Sequence, residues 1–130
     1  MTIRDDLWVR LTSGTTALTA LIGTRVYRDL LPQNPTYPCI AYRRVSAVRL
    51  YDVTGPIAQA TPRFEVACFS NDASEVEDVA EAVRANLNGW SSTTGTVTVH
   101  NTELVSESDL YDPVIEAHQI SIDIALFHNE

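Results

Sequence analysis

The sequence predicts an α+β fold: a mainly antiparallel sheet of about four strands with a long β-hairpin, packed on one face by an amphipathic helix plus N-terminal helices. Three observations predict it. Between residues 73 and 88, Val76, Val79, Ala80, Val83 and Leu87 fall at i, i+3, i+4, i+7 and i+11, one stripe of a helix. Between 117 and 128, Ile120, Ile122, Ile124 and Leu126 alternate with Gln119, Ser121 and Asp123, the period of a strand. Between 62 and 70, Phe64, Val66 and Cys68 alternate with Arg63, Glu65 and Ala67 in the same way. A chain of 130 residues, 45 % apolar and 20 % charged, is expected to be one domain over 1–130. At that length it can bury a core without metals or disulfides.

The other elements follow in order. Leu7 and Leu11, then Leu18, Leu21 and Ile22, predict two short helices over about 4–12 and 15–22. Asp5 or Asp6 is expected to cap the first, Ser13-Gly14 separates them and Gly23 closes the second. Pro32, Pro35 and Pro38 keep 24–38 extended, with Val26 and Tyr27 as a short edge strand. A strand is expected over 39–50, with Ile40 and Tyr42 facing one way and Ala41 and Arg43 the other. The stretch 51–62 then reads as a loop with its turn at Gly55-Pro56. Asp72, with Glu75 three residues on, resembles a capping box opening the 73–88 helix, and Gly89 stops it. Residues 96–103 alternate weakly as a strand, and 106–114 read as a polar loop or a bend. The four large side chains of 117–128, at about 1.5–3 kcal/mol each when buried, make that strand a core element. One sheet face is expected wet and the other covered by the helix.

Composition narrows the function. Apolar runs are far shorter than the roughly 20 residues that cross a bilayer, and the acidic start Met1–Asp6 is unlike a secretory signal. Cys39 and Cys68 sit in apolar runs and read as free buried thiols of a reducing compartment. No phosphate loop, dinucleotide fingerprint, HExxH or paired CxxC is present, so no cofactor or metal is expected. His118 and His128 share a strand face about 33 Å apart, too far for one metal, and His100 neighbours a weak strand. A Cys39–His100 pair would need a reactive thiol, and both cysteines lie in strands where thiols are inert.

All nine basic residues are Arg. Eight lie in residues 1–64 against Asp5, Asp6, Asp29 and Asp52; Arg84 alone faces thirteen acids in 65–130. The net charge of −8 argues against a duplex-DNA binder. The asymmetry suits self-association, positive surface against negative. Candidate interface residues are Arg43, Arg44, Arg49, Tyr51, Ile57 and Arg63, because Arg and Tyr give contact area and hydrogen bonds together. Their expected counterparts on a neighbour are the acids Glu75, Glu77, Asp78 and Glu81, or the stretch Glu103–Asp112. The same acids also read as helix-start chemistry on a wet face.

Three segments carry a resemblance: ALTALIGTRVYRDLLPQNPTYPCIAYRRVS, FEVACFSNDASEVEDVAEAVRANLNG and AHQISIDIALFH. Their order, with Gly23, Arg25, Val26, Tyr27, Pro32, Tyr37, Pro38, Tyr42, Ala82, Val83, Leu87 and Gly89, resembles the tail-completion proteins of tailed bacteriophages, also called tail terminators. The resemblance implies a structural virion protein with no catalytic site. It implies a ring, usually a homohexamer, at the head-proximal end of the tail tube. The ring would stop tube polymerisation and join tail to neck. Its partners would be copies of itself, the tail tube protein and a neck or head-completion protein. The genome would slide through an acidic lumen without specific binding, with assembly in the host cytoplasm. A neighbouring head-completion or neck adaptor, and a small cytosolic α+β enzyme or ligand-binding domain, are the competing readings.

Overall fold

The computed structural model describes residues 3–53, 55–93 and 97–129; the side chains of 50–52 and 55–58 lie outside that description. Among the described residues the elements run α1 (Ile3–Ser13), α2 (Thr16–Ile22), β1 (Val26–Arg28), β2 (Cys39–Asp52), β3 (Gly55–Ser70), α3 (Ala73–Leu87), β4 (Val99–Asp112) and β5 (Ala117–Asn129). The strand order is β1-β2-β3-β5-β4. The short β1 pairs parallel with β2, and every other neighbouring pair is antiparallel. The fold is therefore α+β with a mixed sheet of five strands, the expected four and the short edge strand beside them.

The apolar periodicities become the core. Val76, Val79, Ala80, Val83 and Leu87 of α3 are buried against Ile40 and Tyr42 of β2, Phe64, Val66 and Cys68 of β3, and Ile120, Ile122, Ile124 and Leu126 of β5. Leu7, Leu11, Leu18 and Ile22 bring α1 and α2 into the same cluster. The Asp72 carboxylate caps α3 by accepting from the Ser74 N–H at 2.9 Å. Glu75 does not complete a capping box. It accepts instead from the Ser70 hydroxyl at 2.6 Å, and that hydroxyl oxygen accepts from the Asp72 N–H at 3.2 Å. Asp72→Ala is expected to cost about 1 kcal/mol. Thermal melting checks this, and an unchanged Tm would show that the cap contributes nothing.

The α1–α2 elbow is locked to the end of α3. A Cβ on Gly14 would lie 2.4 Å from the Arg10 carbonyl oxygen, so only glycine fits there. The Arg10 guanidinium donates to the Asn86 carbonyl at 2.7 and 3.0 Å and lies over the Trp90 ring at 5.8 Å. The buried Asn86 amide returns bonds to the Arg10 carbonyl at 3.2 Å and the Thr15 hydroxyl at 3.0 Å. Asp5 and Asp6 lie in the first turn of α1 and also make tertiary contacts. Asp6 accepts from the Val97 N–H at 3.0 Å, and Asp5 pairs with Arg28 at 3.0 Å.

Three further expectations need correction. The stretch 51–62 is not a loop: β2 and β3 continue as a ladder to the Asp52↔Gly55 pair. Most of the stretch 106–114 is not a loop or bend either, because β4 pairs with β5 through Asp112↔Ala117; only Pro113 and Val114 belong to the turn that follows. Strand β4 starts at Val99, and Thr96 lies outside the described residues. In both hairpins the ladder outruns the helix cover, so backbone bonds hold the strands where alternating burial is lost. The sheet face away from the helices is also not uniformly wet. Cys39, Ala41, Ala67 and Phe69 form a second buried cluster there, packed by Tyr27, Leu31 and Tyr37.

Candidate subunit interface

The expected interface arginines divide between the two faces of the sheet. Arg43 lies on the face away from the helices, opposite Glu65, with Nε to Oε1 at 3.4 Å. Arg63 shares that face and meets Asp123 at 3.6 Å, which also accepts from the Ser106 hydroxyl at 3.1 Å. Exposed pairs of this kind are worth about 0–1 kcal/mol, so a neighbour can compete for them. Arg44 lies on the helix side, sharing an open hollow with Ile3, Arg4 and Arg28. Arg49 is exposed on the outer part of β2. The side chains of Tyr51 and Ile57 lie outside the described residues.

The acids gather at the other edge of the sheet. Glu77, Asp78 and Glu81 of α3 and Glu107 and Asp109 of β4 line a hollow of about 250 Å³ with Arg84 and Ile120. Arg84 pairs there with Glu107. Glu75 is instead engaged by Ser70. The candidate residues whose side chains are described thus do not meet in one place. Arg44 lies with Arg4 and Arg28 at the β1–β2 edge, Glu77, Asp78 and Glu81 lie at the β4 edge, and Arg63 lies on β3 between them. Sequence reading missed Arg4 and Arg28 beside Arg44. It also missed the exposed Val45, Val48, Leu110 and Tyr111 on the outer strands. Exposed apolar side chains in stretches of weak alternation are a signal that could have marked them.

The nucleophile candidates are far apart. Cys39 is on β2, and His100 is on β4, where its Nε2 lies 2.9 Å from the Asn129 side-chain oxygen. Burial pushes the Cys39 thiol up to about 11 and the Cys68 thiol up to about 12, so both stay protonated at neutral pH. His128 is buried at one end of β5, and His118 packs on the Tyr111 ring, centroids 4.9 Å apart, at the other. Among the described residues no group of three or more His, Cys, Asp or Glu is placed to hold a metal.

Among the described residues the fold carries basic side chains at one edge of the sheet and acidic ones at the other, the arrangement of a candidate assembly surface. The comparisons agree with that reading. A family model described as tail completion protein gp17 matches residues 9–128, so the chain belongs to that family. Its fold is similar to a chain from the virion of a native gene transfer agent particle. That similarity has a TM-score of 0.78 at 16% identity and covers 95% of this chain and 92% of that one. No curated protein matches it. The chain is a structural, non-enzymatic protein of the virion tail.

Proposed function

We propose that this chain is a tail terminator: a ring-forming subunit, six to a ring, that caps the head-proximal end of the tail tube. One rim of the ring meets the tail tube protein and stops its polymerisation; the other receives a neck or head-completion protein. Each copy acts as one domain, a single wedge of the ring. The observation that carries the reading is the placement of charge. Arg4, Arg28 and Arg44 lie at one edge of the sheet, and Glu77, Asp78, Glu81, Glu107 and Asp109 lie at the other. A closed ring needs a heterologous interface, in which one face of a subunit meets a different face of the next. Two edges of opposite sign supply such faces and favour head-to-tail contact over self-pairing of either one. The net charge of −8 suits a passage through which nucleic acid moves without binding.

The test is tube growth. Added to polymerising tail tube protein, the chain is expected to halt elongation and shorten the tubes in electron micrographs. Unchanged tube lengths, with binding to filled heads instead, would contradict the terminator role and fit the head-completion adaptor.

A further inference from the structure

We propose that neighbouring copies join by continuing the sheet: the outward edge of β2 in one copy pairs antiparallel with the outward edge of β4 in the next. This rests on the ring reading above and names its interface. Strand β1 pairs only with Ile40–Tyr42, so from Arg43 to Val48 β2 has β3 on one side and no strand on the other among the described residues. Strand β4 is the last of the sheet. Its outward edge is met near its start, where Gly89 N–H donates to the Thr102 carbonyl at 3.0 Å and Ser92 bridges Val99. From Glu107 to Asp112 no described strand lies beside it.

Open edges of this length recruit another strand unless the sequence blunts them with Pro, charged side chains or bulges. Neither stretch contains Pro or Lys, and the charges they carry, Arg43 and Arg44 against Glu107, Asp109 and Asp112, are of opposite sign on the two edges. Both also expose apolar side chains: Val45 at 51% and Val48 at 59% on β2, Leu110 at 49% and Tyr111 at 52% on β4. A bulge at Val45 interrupts the β2 stretch once.

Direction, charge and offset all favour a second copy of this chain as the occupant. Each step from β2 to β3, β5 and β4 reverses direction, so β2 and β4 run oppositely. A rotation that carries one copy to the next along a ring, with the strands inclined to its axis as in a closed barrel, keeps neighbouring strands close to antiparallel. Setting Arg43 opposite Asp112 brings Arg44 to Tyr111 and Val45 to Leu110. That is an ion pair, a guanidinium on a ring and an apolar pair, each a favourable cross-strand combination. The alignment also requires a slip along the strands. Arg43 is level with Ser106 through Glu65 and Asp123, so meeting Asp112 displaces the next copy by about six residues, about 20 Å. Four strands spaced ~4.8 Å apart and tilted ~35–45° to a ring axis slip by about 13–19 Å per copy. The offset the edges need is close to the offset a closed, tilted sheet imposes.

Arg43→Cys and Asp112→Cys placed together in one chain test the pairing. The two positions lie on opposite edges of a subunit, so a disulfide between them joins different copies. After mild oxidation of assembled protein, a ladder of covalent multimers is expected on non-reducing gels, with at most a dimer from either single variant. Rings of native mass without the ladder would overturn the sheet continuation and leave the terminator reading standing. Cross-linking to the tail tube protein in place of another copy would overturn it too. A wild-type chain that never assembles would remove both. As a second readout, Arg43→Glu is expected to raise the concentration needed for assembly at least tenfold, and adding Asp112→Arg should restore it. Disruption of the Arg43–Glu65 ion pair inside one copy would not be rescued by that second change, so failure of rescue counts against the pairing.

Discussion

Replacing Phe64 by alanine is expected to destabilise the fold by about 3–5 kcal/mol. Phe64 is fully buried in the middle of β3, paired on one side with Arg44 and on the other with Ile124, which is itself fully buried. Its ring lies 6.5 Å from that of Tyr42, whose hydroxyl donates to the Arg4 carbonyl at 3.0 Å and ties α1 to the sheet. Truncation leaves a cavity at the junction of β2, β3 and β5 that rigid strands cannot collapse to fill. Calorimetry should record a Tm lower by roughly 10–20 °C. Val53, wholly exposed at the end of the β2–β3 hairpin, provides the contrast, with a change to alanine expected to stay within about 0.5 kcal/mol. A Phe64→Ala cost below about 1 kcal/mol would mean that the core does not centre on this sheet face.

Reversing Arg43 and Arg44 together to glutamate should leave the subunit folded and shift it from ring to monomer. Both side chains are exposed, and the Arg43–Glu65 ion pair that the change breaks inside the subunit is a surface pair of little worth. In the proposed ring the change between subunits is larger, because it would set new negative charge against an edge already carrying Glu107, Asp109 and Asp112. Like charges brought together at an interface cost several kcal/mol, and a ring repeats that cost at every contact. Light scattering at matched concentration reads the outcome, with thermal melting as the folding control. An unchanged ring mass would refute the assignment of these arginines to the interface.

Legibility in the sequence followed burial. The stripe Val76–Leu87 and the alternation Ile120–Leu126 were readable because both elements press a single apolar face into the core. Phe64, Val66 and Cys68 were readable for the same reason. The outer halves of β2 and β3 and most of β4 were not. There the strands are held by backbone pairing, and side chains such as Val48, Ser108 and Asp109 face solvent without a repeating pattern. Period-two reading detects a half-buried strand and is blind to one exposed on both sides. The candidate interface was legible as a charge asymmetry between halves of the chain, and its division between two sheet edges was not. That division depends on β5 inserting between β3 and β4, a long-range pairing that no local pattern encodes. Cys39 and Cys68 were legible as buried thiols from their apolar neighbours, and their raised pKa values have the same origin.

In the proposed ring the two unlike edges of the subunit fit one another and give a closed set of copies at the end of a tube. Native mass spectrometry of the protein released from capped tail tubes measures this directly. The predicted result is one species at a fixed small multiple of 14.4 kDa, unchanged as the total concentration rises. Only single subunits, or a series of masses growing with concentration as in an open filament, would contradict it.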